Sequence, residues 1–166
     1  MQIRSERPGD ADAIHALTRA AFEDAPHSSH TEQYIVDALR AAGALTVSLV
    51  AEDGDGIVGH VALSPVRLSD GSLGWYGLGP ISVAPGQQGQ GVGSALMRAA
   101  IEALQARGAA GCVVLGDPGY YGRFGFQADS RLRLAGVPAE YFQALLLQGA
   151  WPDAEVEYHA AFEATG

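Results

Sequence analysis

Gln88-Gly89-Gln90-Gly91-Val92-Gly93-Ser94 is the stretch whose reading decides the fold. On its C-terminal side Val92, Leu96, Ala99, Ala103 and Leu104 recur at helical spacing until Gly108. On its N-terminal side Trp75 to Ala84 reads as a strand that ends at Pro85. A glycine-rich loop between a strand and a helix lets several backbone N–H groups converge on an anion at the positive end of the helix dipole, where a Cβ would crowd a phosphate. The dinucleotide fingerprint is not met, because the glycines fall at 89, 91 and 93 and Ser94 stands where its third glycine belongs. A turn that merely caps a helix would need only one such glycine.

Working outward, the strand before the loop contains Gly79-Pro80, which a regular central strand should lack. Proline donates no ladder hydrogen bond, so a bulge or a splaying of neighbouring strands is expected there. Further upstream, a short strand covers Gln2 to Ser5. Asp10 is expected to cap a helix with Ile14, Leu17, Ala21 and Phe22 on one face, ending near Glu23. Ser29 and Glu32 form a capping-box pattern for a second helix through Ile35, Ala38, Leu39 and Ala42, stopped by Gly43. Leu45 to Ala51 and Ile57 to Ser64 read as strands of a hairpin, and Ser69-Asp70-Gly71 as a further turn. Downstream, Cys112 to Leu115 is a strand broken at Gly116, and a short turn or helix carries Tyr120 to Phe124. Arg131 to Leu134, Phe142 to Gln148 and Glu155 to His159 read as terminal strands.

Composition narrows the function. The chain has 166 residues, 48 % of them hydrophobic, enough for one core without disulfides or metals. Its formal charge of -9 opposes a nucleic-acid partner. All 10 basic residues are arginine, which excludes a Walker-type phosphate loop and a lysine Schiff base. The single cysteine, Cys112, sits in a strand-like run and fits a reducing, cytoplasmic setting. The N-terminus lacks a signal-peptide pattern and no run approaches the ~20 apolar residues of a membrane span, so no membrane partner is expected. His15, His27, His30 and His159 lack metal-ligand spacing, no metal site is expected, and no Ser-His-Asp arrangement is legible.

Gln88-x-x-Gly91-x-Gly93 matches the Gln/Arg-x-x-Gly-x-Gly/Ala signature of the GCN5-related N-acetyltransferases (GNAT), which the chain resembles over about residues 1 to 148. Ile81-Ser82-Val83-Ala84-Pro85 and Tyr121-Gly122-Arg123-Phe124-Gly125-Phe126 are similar to two further segments of that family, at matching spacing. The runs Ile57 to Val66 and Leu115 to Phe126 resemble one bacterial subgroup of predicted N-acetyltransferases, which supplies no substrate. The resemblance implies an α+β fold of α/β/α-type layers, with a mixed, mostly antiparallel central sheet whose fourth and fifth strands splay, flanked by helices. It implies a single N-acetyltransferase domain over 1–166, with a core at 1–148 and a C-terminal strand extension at 149–166.

The same resemblance implies acetyl-CoA as acyl donor and direct transfer to an amine, on a small molecule or a protein. Gln88, Gly89, Gln90, Gly91, Val92, Gly93 and Ser94 would hold the pyrophosphate. The backbone of Ile81, Ser82 and Val83 would take the pantetheine arm in the manner of an added strand, with the Val83 N–H aimed at the oxyanion. Tyr121 matches the family tyrosine that protonates the departing thiolate, with Tyr120 as its competitor. Arg123 and Phe124 would line the cofactor, the plain alternative being a solvated arginine and a core phenylalanine. No carboxylate lies between Asp70 and the loop, so His60, Glu52, Asp117 and Ser82 stay open as the base that deprotonates the amine, each with a plain structural reading beside it. Trp75 and Tyr76 are either flanks of an acceptor pocket or core aromatics. A non-catalytic acyl-CoA sensor and a transferase for a longer acyl chain are the alternative functions, and a homodimer fits the family.

Overall fold

A computed structural model describes residues 1–26 and 28–166. The strands are β1 (Gln2–Ser5), β2 (Val47–Asp53), β3 (Gly56–Pro65), β4 (Arg67–Leu68), β5 (Trp75–Val83), β6 (Gly111–Leu115), β7 (Leu132–Arg133), β8 (Phe142–Leu146) and β9 (Ala154–Glu157). The helices are α1 (Ala11–Phe22), α2 (Glu32–Ala41), α3 (Val92–Ala106) and α4 (Pro118–Tyr121). The chain divides into two compact units, one of Met1–Ser64, Gly79–Ile101 and Ala160–Gly166, the other of Pro65–Leu78 and Glu102–His159.

In the first unit the hydrogen-bonded order is β1-β2-β3-β5, with antiparallel pairs such as Ile3 opposite Ala51 and Val50 opposite His60. Alternate residues of these strands face opposite ways, so each face needs its own cover. Val50 packs with Ile14 of α1 and Val36 of α2, all three fully buried. The other face lies against α3, so close that a Cβ on Gly59 would stand 2.8 Å from Val92 and 2.9 Å from Leu96. Helices thus cover both faces of the β1-β2-β3 sheet, the α/β/α layering expected from the sequence. Ala161 of the C-terminal segment joins Ile35, Leu39 and Ala44 in a separate cluster.

In the second unit β6 runs parallel to the start of β5 and antiparallel to β8. Strands β4, β9 and β7 make a separate three-stranded sheet. Val66, Leu68, Trp75, Val113, Leu132, Phe142 and Val156 form its core. Trp75 is 3 % exposed, a core aromatic rather than the wall of a pocket.

Several local expectations change. Ser29 does not cap α2: Thr31 is the cap residue, and Glu32 turns its carboxylate back to Ser28 Oγ at 2.7 and 2.8 Å. Asp10 precedes α1, yet its carboxylate accepts from Arg4 and from the Arg7 N–H rather than from the helix. The expected terminal strands 131–134 and 155–159 shrink to β7 and β9 and build the second sheet.

Candidate functional site

In the first unit Gln88, Gly89, Gln90 and Gly91 are exposed to solvent. Gly89 and Gly91 take left-handed φ values of 78° and 86°, which a side chain rarely tolerates. A Cβ at either position would meet nothing within 4 Å, so these glycines are required by backbone conformation and leave clear space in front of the loop. The first N–H groups of a helix have no intrahelical acceptor; in α3, Ala95 is the first residue whose N–H bonds back, to the Gly91 carbonyl at 3.0 Å. Val92 is buried against the sheet while Gly93 and Ser94 are half-buried at the helix mouth. Gln88 anchors the loop through Nε2 to the Val83 carbonyl at 3.3 Å, and Gln90 is exposed. Free amides at a helix N-terminus can receive an anion without a cationic side chain.

Strand β5 leads into that loop with one edge released. The Ala84 N–H donates to the Val58 carbonyl at 2.8 Å and the Val66 N–H to the Trp75 carbonyl at 3.1 Å. From 58 to 66 the chain advances eight residues and from 75 to 84 it advances nine, so β5 carries one extra residue, a bulge. Gly79, with φ of 136°, precedes the cis Gly79-Pro80 bond inside this stretch. Ala84 spends its N–H on β3, and in an antiparallel pair the amides alternate direction, so Ile81 and Val83 direct theirs to the opposite edge. Pairing of β5 with β6 covers only Trp75 to Gly77. Ile81 and Val83 are half-buried, whereas Ser82 between them is 2 % exposed and its Oγ has no partner.

In the second unit Asp117 accepts from the Gly119 N–H at 2.9 Å and thereby starts α4, which carries Tyr120 and Tyr121. Tyr121 stands edge-on to Tyr120 at 5.0 Å and to Phe126 at 6.2 Å between ring centroids. A Cβ on Gly116 would come within 2.6 Å of the Tyr121 ring, so this glycine makes room for it. Burial, with smaller effects from Tyr120 and Asp117, pushes the Tyr121 phenol up to about 12, so it stays protonated at neutral pH. Tyr120 is covered by the Arg123 guanidinium at 4.6 Å, and Arg123 also lies 5.5 Å over the Phe124 ring.

Two of the open candidates for the base are already engaged. Glu52 accepts from Arg4 Nε and Nη2 at 3.3 and 3.0 Å, which holds its carboxyl below the usual range. Asp117 is the α4 cap. His60 is fully buried and burial pushes it down to about 4, against the pull of the Glu6 charge. Among the described residues no cluster of His, Cys, Asp or Glu can hold a metal ion. His15 pairs with Asp37 at 2.7 Å, and His27 lies outside the described residues. Cys112 is fully buried, which raises its thiol far above neutrality. What sequence reasoning missed is the side-chain chain behind His60, formed by Ser48, Glu6 and Arg40. Its members are spread from residue 6 to residue 60, and no local spacing announces them.

Residues 2–128 match the family model described as "Acetyltransferase (GNAT) domain". The chain is 38 % identical over 169 aligned residues to the "Uncharacterized N-acetyltransferase YhbS" of Escherichia coli K12, covering 98 % of each. A Brucella melitensis GNAT family acetyltransferase solved in complex with acetyl-CoA superposes with a TM-score of 0.87 at 50 % identity, over 97 % of both chains. The E. coli YhbS structure in complex with CoA gives 0.89 at 37 % identity, over 99 % of this chain and 93 % of that one.

Proposed function

We propose that this chain, which belongs to the GNAT acetyltransferase family, moves an acetyl group from acetyl-CoA directly to an amine, with the backbone of β5 and of the loop before α3 holding the donor. The observation that carries this reading is the pair of left-handed glycines, 89 and 91, which opens the α3 amides beside the released edge at Ile81 and Val83. Acetyl-CoA supplies an activated thioester. Gln88 to Ser94 receive its pyrophosphate on main-chain N–H groups, and Arg123 and Phe124 line its path. Ile81 and Val83 bond the pantetheine amides as an extra strand would. The Val83 N–H faces the thioester oxygen, where negative charge develops. Tyr121 gives its phenolic proton to the sulfur as the carbon–sulfur bond breaks, a role supported by its protonated state in a buried aromatic setting.

Residues 1–166 act as one N-acetyltransferase domain in this proposal, since β5 and α3 each contribute residues to both compact units. The acceptor is a small-molecule amine or a protein amino group, in a cytoplasmic setting that suits the lone reduced thiol of Cys112. No helix among the described residues is long and apolar enough to cross a membrane. A panel of primary amines, peptides and amino sugars with acetyl-CoA, read by release of free CoA thiol, tests the reading. Thiol release dependent on an amine is the expected result. Binding of acetyl-CoA without release from any amine would make the chain a sensor, and faster consumption of a longer acyl-CoA would change the donor.

A further inference from the structure

His60 of β3 is fully buried, with Nε2 2.8 Å from Ser48 Oγ. Ser48 Oγ donates to Glu6 Oε1, and the Glu6 carboxylate is gripped by Arg40 through Nε and Nη2, each at 2.9 Å. Burial alone would raise the Glu6 carboxyl, but the hydrogen bonds from Arg40 and Ser48 outweigh it and keep the group ionised at neutral pH. An ionised carboxylate only accepts, so the single hydroxyl proton of Ser48 is committed to Glu6 and its oxygen meets His60 as an acceptor. His60 therefore carries its proton on Nε2, and Nδ1 keeps a bare lone pair.

That Nδ1 is buried without a hydrogen-bond partner. So is Ser82 Oγ. Counted two residues along each antiparallel strand from the Ala84 N–H to Val58 bond, with the extra residue of β5 placed at Gly79-Pro80, Ser82 falls opposite His60, with no hydrogen bond between Ser82 Oγ and Nδ1. Buried polar atoms are seldom left unpaired, and two such atoms, one on β3 and one on β5, the strand that leads into the donor loop, call for a functional account.

We propose that His60 is the receiving end of a proton relay: the acceptor amine hands its proton to Ser82 Oγ while the Ser82 hydroxyl proton passes to His60 Nδ1. The relay rests on the acetyl-transfer reading, which places the thioester beside Val83, the neighbour of Ser82. As the nitrogen bonds to the acetyl carbon its remaining proton becomes acidic, so a base much weaker than a free amine suffices. The nitrogen–carbon bond forms, the carbon–sulfur bond breaks, the amine proton ends on His60 and the Tyr121 proton on sulfur. His60 then releases its proton to solvent and Tyr121 recovers one from solvent, which leaves both residues as they began. The charged groups facing the imidazole are Glu6, which favours the protonated ring, and Arg40, which opposes it. Ser48 and Glu6 are positioning residues, which fix the tautomer and so leave the Nδ1 lone pair free to take a proton.

Two measurements test the relay. Nitrogen-15 NMR of the intact protein at pH 7 reads the His60 ring directly, and the neutral Nε2–H tautomer is expected, shifting toward a mixture in Ser48→Ala. An Nδ1–H tautomer in the native protein overturns the proposal, whatever the acceptor proves to be. With the best amine of the panel, His60→Asn keeps an acceptor atom near the Nδ1 position but cannot take a proton. It is expected to lower kcat about 100-fold with acetyl-CoA affinity unchanged by calorimetry, and Ser82→Ala about tenfold. A His60→Asn protein that binds acetyl-CoA and turns over within threefold of the native rate overturns the relay. Loss of acetyl-CoA binding in the native protein would instead strike at the acetyl-transfer reading.

Discussion

A single hydroxyl separates Tyr121 from phenylalanine, and its ring, not its hydroxyl, makes the contacts with Tyr120 and Phe126. Tyr121→Phe should therefore fold and bind acetyl-CoA as the native protein does, while kcat falls. General acids contribute about 10² to 10⁴, and a CoA thiolate is already a tolerable leaving group, so the loss should sit near 10². Tyr120→Phe is the control and should do less, because its ring is covered by Arg123. If steady-state rates limited by chemistry are equal for native and Tyr121→Phe proteins, the general acid lies elsewhere. His60 makes a second residue-scale prediction, on stability. Its folded pKa of about 4 lies below the ordinary 6.5, so on acidification the unfolded chain takes up the proton first. The stabilising effect of its neutral burial is complete above pH 6.5 and is lost as pH falls through 4, about 3 kcal/mol in all. Urea denaturation at pH 7.5 and pH 4.5 should show this loss, and His60→Asn should shrink it; an equal loss in both proteins would contradict the assignment.

At the scale of elements, the loop before α3 is the most exposed to test. Gly91→Val places a β-branched residue at a φ of 86°, a left-handed conformation that disfavours it by about 1–2 kcal/mol. It also reorients the loop amides that are proposed to hold the pyrophosphate. One lost hydrogen bond to a charged group is worth about 1.5–3 kcal/mol, so titration calorimetry on the folded variant should show acetyl-CoA affinity reduced at least about tenfold. Unchanged affinity would remove the pyrophosphate from this loop. Sequence alone made this element legible, because the periodic helix and alternating glycines are local signals with one physical meaning. The Gly79-Pro80 interruption likewise announced the bulge that the β5 register displays. Less legible were β4, β7 and β9, since strands of two to four residues carry too little alternation to declare which sheet they join. The α2 cap was misread because Glu32 finds Ser28 one turn away, a choice of partner that no capping pattern encodes.

The molecule as a whole carries a charge of -9, yet the donor it is proposed to bind is an anion. Main-chain amides at a helix terminus resolve this, because their field is local and survives the screening that weakens distant charges. The single cysteine sharpens the chemistry further. Cys112 is fully buried with its thiol held protonated, so it has neither the exposure nor the thiolate needed to carry an acetyl group. Cys112→Ser should therefore keep its turnover if it folds, measured by thiol-independent detection of the amide. Direct transfer from thioester to amine is the claim on which the loop, the strand edge and Tyr121 all converge. The measurement that meets it most directly is a single turnover of acetyl-CoA labelled with carbon-13 in the acetyl carbonyl, with excess enzyme and the best amine, followed by mass spectrometry of products and protein. The account predicts labelled amide and free CoA appearing together in equal amounts with the protein mass unchanged; label retained on the protein, or CoA released before any amide forms, would contradict it.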